Sequence, residues 1–337
     1  MSELAALQSP PGSLMRAEAS EAAEIFARGV LHETPALRRG FDAIYFLARG
    51  SSDAAACMLM HECMARLGVP TTRLPLSAFS LLGGVAMRRA LALAISQSGE
   101  SDDLARSVEI ARRMGGFAAA ILNEEDSPVG RRADLIIPAG AGPERAVPAT
   151  KSVLGSVAAG MALLAALEPN YRKRCEAAAD AFRYAGTKAH PQAADLRATL
   201  SGARSAYVVG RGAGYGAAME IALKLKETCA IHAEAHSASE ALHGPLQLAT
   251  GSLAVLILDI GDDAARASID AAEVRFREAG SAPIRLRLAE LTGRAIAPPA
   301  AAALLLNAIY PAILETSLAL GLNPDAPSAL RKVTRTL

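Results

Sequence analysis

The chain has 337 residues, enough for about two ordinary domains, and it is 51% hydrophobic and 20% charged, so a large buried core is available. Its 35 Lys and Arg face 34 Asp and Glu, and a net charge of +1 gives no electrostatic reason to expect nucleic acid or an anionic membrane as partner. With no Trp and 4% aromatic residues, base stacking and aromatic-lined peptide grooves are poorly supported.

Residues 1–40 read as a helical lead-in with a loop at Ser9-Pro10-Pro11-Gly12. They lack the basic start and long apolar stretch of a signal peptide, so a cytoplasmic protein is expected. From Phe41 onward, short β-branched apolar runs alternate with Ala-rich helical stretches. AIYFLA, LALAIS, FAAAIL and DLIIPA are the runs of the first half. AYVVG, LAVLILDI and APIRLRL are those of the second. Continuous apolar strands alternating with helices argue for a parallel sheet covered on both faces, a doubly wound α/β fold with ligands at the carboxyl ends of the strands.

The chain also repeats itself. FDAIYFLARGSS from Phe41 matches ARSAYVVGRGAG from Ala203 at an offset of 162, with Tyr45 on Tyr207, Arg49 on Arg211 and Gly50 on Gly212. The same offset sets Leu91 on Leu253, Ile95 on Ile257 and Gly99 on Gly261. One offset for two separate strand–loop units implies an internal duplication. The expected organisation is a lead-in to residue 40, a first domain over 41–175, a linker over 176–200, a second domain over 201–323 and a tail over 324–337. The run 153–167 is short for a membrane span and suits a buried helix, and Pro298, Pro299 and Pro311 interrupt the apolar run 296–314.

Three loops of the first half carry hydroxyls where an anion could bind. In LALAISQSGESDDL, Ser96, Gln97, Ser98 and Ser101 follow a strand and precede a helix for which Ser101 is an N-cap candidate. Asp102 and Asp103, in the first helical turn, are expected to point outward. Arg49-Gly50-Ser51-Ser52 opens a second helix, and PERAVPATK brings Glu144, Thr150 and Lys151 to a third. The copy LAVLILDIGDD has Leu258, Asp259 and Ile260 in place of the serines, an unsuitable loop for phosphate. Neither a Walker loop nor a clear dinucleotide fingerprint is present; GRGAGYG comes near the latter.

In the second half Glu220, Lys224 and Glu227 are spaced i, i+4, i+7 and share a helix face. On an isolated helix that face would be solvated. Here Ile221, Ala222, Leu223 and Leu225 surround it, and a carboxylate held among apolar groups can serve as a base. His243 in LHGP sits on a loop and is the candidate acid–base partner. HAEAH sets His232 and His236 four apart with Glu wrongly positioned for a zinc helix, so no metal is expected. Cys57, Cys63, Cys175 and Cys229 have no CxxC or metal spacing and read as reduced, buried thiols.

These motifs together, ARGSS, ISQSGES, AGPERAVPATK, ALKLKE, IHAEAHSASEALHGP and LRKVT in that order, resemble the SIS (sugar isomerase) domain family, in particular the isomerase half of glutamine:fructose-6-phosphate amidotransferases. The resemblance implies two tandem SIS domains, each a three-layer αβα, flavodoxin-like unit. It implies sugar-phosphate contacts from Ser52, Ser96, Gln97, Ser98 and Ser101. Glu227 falls on the base that moves a proton between C1 and C2, Lys224 on a lysine near the enol oxygen, His243 on the ring-opening histidine, and Lys332 on a lysine able to form an imine with the ketose. In that family the histidine comes from a neighbouring subunit, so at least a homodimer is expected, with a small-molecule sugar phosphate as the only other partner. No metal or organic cofactor is expected.

Two departures stand out. Ala149 replaces a serine of the family loop, and no glutaminase segment with Cys after the initiator Met precedes the repeat. The expected activity is therefore deamination of glucosamine 6-phosphate to fructose 6-phosphate and ammonia. A deaminase for galactosamine 6-phosphate, a plain aldose–ketose isomerase and a non-catalytic sugar-phosphate sensor are the alternatives.

Overall fold

The computed structural model describes residues 10–35, 37 and 40–332. The N-terminal nine residues and the tail beyond Lys332, on which part of the lead-in and tail readings fall, lie outside them.

After helix α1 (Ser13–Gly29), five strands form one parallel sheet in the order β2-β1-β3-β4-β5. They are β1 (Ala43–Leu47), β2 (Thr71–Arg73), β3 (Ala90–Ser96), β4 (Phe117–Leu122) and β5 (Leu135–Pro138). Between them run α2 (Gly50–Leu67), the short α3 (Ser77–Ser80) and α4 (Asp102–Arg113). Helices α5 (Lys151–Leu167), α6 (Arg172–Ala185) and α7 (Ala193–Ser201) lead to a second parallel sheet, β7-β6-β8-β9. Its strands are β6 (Ser205–Gly210), β7 (His232–Ser237), β8 (Ala254–Asp259) and β9 (Ile284–Arg287), with α8 (Ala213–Cys229), α9 (Asp263–Glu278) and α10 (Pro298–Ala319). The duplication is visible directly, since β1 begins at Ala43 and β6 at Ser205, 162 residues on. Both orders place the first strand of the half beside the third, so the chain reverses direction there and leaves the crevice in which such sheets bind ligands.

Two strands had no counterpart in the apolar runs. Thr71–Arg73 is three residues long, and HAEAHS is an edge strand. In β7 the alternation buries Ala233 and turns His232 and Glu234 outward, so the two histidines lie along a strand rather than a helix turn. Glu234 approaches both rings, at 3.7 Å from His232 and 3.3 Å from His236. No group of metal-ligating side chains occurs among the described residues.

The cores follow the layers. One continuous cluster joins helices of both halves, running from Phe26 and Met58 through Tyr171, Phe182 and Leu196 to Leu225 and Tyr310. Separate clusters fill the outer face of each sheet. The lead-in helix and the 176–200 segment are therefore packed into a shared core. Phe26 of α1 stacks on Phe182 of α6 with centroids 3.8 Å apart. Helices α2 and α8, the equivalent helices of the two copies, cross closely where Gly216 lies. A Cβ there would stand 2.6 Å from Met58 N and 2.8 Å from Ala54 O. That approach brings the start of α2 onto the charged face of α8.

Helix α5 is buried along nearly all its length, as expected. The prolines do not interrupt α10: Pro298 and Pro299 sit in its first turn, where no backbone donor is needed, and the helix continues through Pro311. It is long and apolar enough to cross a membrane, but 83% of its most apolar stretch is buried inside the fold. All four cysteines are free and buried.

The C-terminal segment is tied to the start of the chain. The buried Asp325 carboxylate accepts Leu14 N–H at 3.0 Å and Met15 N–H at 2.8 Å, capping α1. Its carbonyl accepts Val147 N–H at 3.0 Å. These bonds lead the tail past the loop before α5, toward the carboxyl edge of the first sheet.

Candidate active site

A cavity of about 360 Å³ opens at the carboxyl ends of β1 and β3, between the N-termini of α2 and α4. Ser52, Ser96, Ser98 and Ser101 line it from the first half, Glu227 from the second, and Arg331 and Lys332 from the tail. Three distant stretches of the chain thus meet in one space.

The serine loop is shaped by its own hydroxyls. Ser96 Oγ accepts Gly99 N–H at 3.0 Å, and Ser98 Oγ accepts Glu100 N–H at 3.3 Å. Each oxygen accepts one backbone N–H, and its hydroxyl proton can donate elsewhere. Gly99 has φ 63°, and a Cβ there would fall 2.1 Å from Ser127 Oγ, so the turn requires glycine. Gln97 is half-buried and does not line the cavity; its carbonyl accepts Glu124 N–H at 3.1 Å.

Ser101 holds the N-cap position of α4, but its side chain accepts no backbone N–H of the helix. It donates to Asp103 Oδ1 at 2.9 Å and accepts from Arg49 at 3.2 Å. Asp103, expected to point outward, turns back and pairs with the Arg49 guanidinium, because that cation arrives from the neighbouring strand end.

On α8 the solvated-face alternative fails. Glu220 and Lys224 are wholly buried, and Glu227 keeps 23% of its side chain exposed, toward the cavity. Lys224 Nζ donates to Glu227 and lies 3.3 Å from Glu220 Oε1. Burial pushes the Glu220 carboxyl up to about 7, against the opposing pull of Lys224. For Lys224 burial acts downward, and the carboxylates of Glu220 and Glu227 outweigh it, holding the ammonium above its ordinary range.

Besides Gln97, four sequence-assigned site residues stand off the cavity lining. The Ser51 hydroxyl is turned away from the cavity; it donates to Glu220 at 3.1 Å and accepts from Lys224 at 3.1 Å, because the close α2–α8 crossing presents that pair to it. Glu144 is buried and serves as an internal acceptor for Thr150 N–H at 3.0 Å, Ser152 N–H at 3.1 Å and Ser152 Oγ at 2.6 Å. Burial would lift this carboxyl, but Lys332 and these donors together hold it below the usual range. Thr150 is fully buried at the start of α5 and does not reach the cavity. Lys224 likewise acts from beneath Glu227 rather than from the lining.

Lys332 Nζ donates to Glu144 at 3.1 Å and to the Ala146 carbonyl at 2.7 Å. The buried Glu18 of α1 accepts the N–H groups of Arg145 and Ala146 and so fixes that turn from below. His243 is exposed, on a loop between two short 3₁₀ turns beyond β7, and does not line this cavity within the single chain. Sequence reasoning passed over Arg49, Val147 and Leu330 as lining residues. The signal for Arg49 was its place directly after a strand, in ARGSS.

The SIS domain model matches residues 41–166 and again 199–308. The chain belongs to the SIS domain family. It is 31% identical over 305 residues to a glutamine–fructose-6-phosphate aminotransferase of Pyrobaculum aerophilum, covering 86% of this chain and 50% of that protein. With the Mesorhizobium japonicum enzyme of the same description it shares 36% over 174 residues, 49% of this chain and 29% of the relative. This SIS chain spans half or less of the length of these curated relatives. Among solved structures, a Silicibacter pomeroyi protein assigned as a phosphosugar isomerase superposes with a TM-score of 0.77 at 28% identity, covering 93% of this chain and 99% of that one. The glucosamine-6-phosphate deaminase of Thermotoga maritima shares the fold, with a TM-score of 0.76 at 17% identity over 96% and 100% of the two chains.

Proposed function

We propose that this SIS enzyme is a glucosamine-6-phosphate deaminase, releasing ammonia and fructose 6-phosphate from glucosamine 6-phosphate and water. Behind it stands one arrangement: Glu227, held by a buried lysine, faces the same cavity as the hydroxyl-rich loop between two helix N-termini. Hydroxyls and helix N-termini suit a phosphate. A positioned carboxylate suits proton transfer at a carbon beside a carbonyl.

The sugar first opens, with a proton passing from the anomeric hydroxyl to the ring oxygen. His243 of a second subunit is assigned that step. Glu227 then removes the C2 proton, giving an enolamine with C1 and C2 doubly bonded. Return of the proton to C1, with O1 protonated to the hydroxyl and a proton lost from nitrogen in exchange, leaves a C2 imine. Water adds to that imine and ammonia departs, giving the ketose. Lys224 orients the Glu227 carboxylate and supplies positive charge beneath it. Lys332, which lines the cavity, is assigned the exchange of its amine onto C2. Fixing the phosphate confines the reacting carbons beside Glu227, and such confinement is among the larger sources of rate.

The test is a coupled assay of ammonia and fructose 6-phosphate from the purified protein with glucosamine, galactosamine and N-acetylglucosamine 6-phosphates. Stoichiometric ammonia from the first, abolished in Glu227→Gln, supports the assignment. Aldose–ketose interconversion without ammonia, or an unchanged rate in Glu227→Gln, sinks it.

A further inference from the structure

We infer that Arg49 is a further substrate-binding residue, the counter-charge for the substrate's phosphate, which Asp103 holds in place while the site is free. This rests on the phosphosugar reading of the cavity. Three observations carry it.

Arg49 stands at the carboxyl end of β1, in extended backbone immediately before α2, and lines the cavity together with Ser96, Ser98 and Ser101. Its guanidinium donates to Ser101 Oγ at 3.2 Å and to the Asp103 carboxylate, bridging the N-termini of α2 and α4 where an anion would sit. The side chain remains 44% exposed, while that of Asp103 is 14% exposed. The cation thus lines the cavity and stays in contact with solvent.

The local charge favours a cation at the site. Glu100, Asp102 and Asp103 all belong to this loop or the first turn of α4. A phosphate dianion held only by hydroxyls and backbone N–H groups would meet their repulsion. Arg331 and Lys332 reach the cavity only from the tail, and Lys332 is already matched by the buried Glu144 carboxylate. Arg49 offsets Asp103 in the free enzyme, and its planar fork can engage a phosphate through parallel hydrogen bonds. Its pairing with Asp103 is partly solvated, an arrangement worth little on its own and readily traded for a phosphate. The trade also releases the Ser101 oxygen from Arg49, while its hydroxyl still donates to Asp103.

A merely structural clamp makes a different forecast, so Arg49 and Asp103 are varied separately. Inorganic phosphate binding is measured by calorimetry on wild-type, Arg49→Met, Arg49→Lys and Asp103→Asn proteins. KM and kcat with glucosamine 6-phosphate are measured beside it, and thermal unfolding checks the fold. Losing a charged hydrogen-bond donor to phosphate should weaken binding about tenfold or more. Arg49→Met should show that loss in phosphate affinity and in KM, with kcat changed far less, and Arg49→Lys should recover part of it. Asp103→Asn should leave phosphate affinity unchanged or tighter, because a repelling charge is gone. Equal weakening in Arg49→Met and Asp103→Asn would reduce Arg49 to a loop clamp, and unaltered phosphate binding in Arg49→Met would remove it from the site. Calorimetry with inorganic phosphate needs no turnover. Arg49-dependent binding in a protein that releases no ammonia upholds this inference while overturning the deaminase.

Discussion

The Ser51 hydroxyl, from the first copy of the repeat, accepts a hydrogen bond at 3.1 Å from Lys224 Nζ of the second. It donates at 3.1 Å to Glu220, which closes a ring of the half-buried Ser51 and the buried Glu220 and Lys224 across the α2–α8 crossing. The same lysine holds Glu227 at the cavity. Packing of the two halves and orientation of the proposed base thus depend on one cation.

Replacing Lys224 by Met should therefore cost both stability and activity. Removing one partner of a buried pair leaves the other charge uncompensated, which is worth about 3–5 kcal/mol. The double variant Glu220→Leu with Lys224→Met should recover much of the stability and none of the activity, because Glu227 still lacks its lysine. Urea unfolding of the singles and the double measures the coupling. Additive losses would mean that the pair does not act as a unit.

The buried carboxyls set a direction for pH dependence. Burial lifts both Glu18 and Glu220 from 4.5 to about 7. Between those values the folded chain binds more protons than the unfolded one, so each group's contribution to stability is highest at low pH and falls as pH rises through the window. The loss from each is on the order of 3 kcal/mol when complete. Subtracting the stability curve of Glu18→Gln from that of the wild type between pH 4.5 and 8 should show a difference that declines with pH. A flat or rising difference would contradict the assignment to Glu18.

The parallel strands, the repeat and the buried α5 were legible because their signals are local: runs of apolar residues, a constant offset and the absence of charges. Edge strands were less so. Thr71–Arg73 is too short for a pattern, and in HAEAHS the period-two alternation sets only alanines against polar residues, a weak apolar signal. At the site, the residue types that could do chemistry were legible, whereas their directions were not. Ser51 and Ser52 are adjacent in sequence, yet one faces the α8 charges and the other lines the cavity. Glu144 reads as a loop residue until the tail returns from far along the chain to set Lys332 against it. Such contacts depend on how helices of different halves cross, which no single window of sequence contains.

The serine loop separates binding from folding. Ser98→Ala removes one hydroxyl from the cavity and a 3.3 Å turn bond to Glu100 N–H in a partly exposed loop. It should raise KM for a phosphosugar about tenfold, the scale of a hydrogen bond to a charged group, with a modest change in unfolding temperature. Gly99→Ala should do the reverse first, because its Cβ collides with Ser127 and its φ is positive. A Ser98→Ala protein that unfolds early yet keeps its KM would make the loop structural.

The position of His243 leads to the last test. It is exposed and outside the cavity of its own chain, while Glu227 lies within it. In the proposed dimer each site takes Glu227 from one subunit and His243 from the other. Glu227→Gln and His243→Ala proteins should each be nearly inactive. Mixed after reversible dissociation, half of the dimers become hybrids. In each hybrid one site collects both substitutions and the other collects neither. The mixture should regain about a quarter of wild-type activity, as expected when a two-fold interface completes the site. Hybrids that form, as judged by differently tagged subunits, yet stay as inactive as the parents would assign His243 to its own subunit's site or to none.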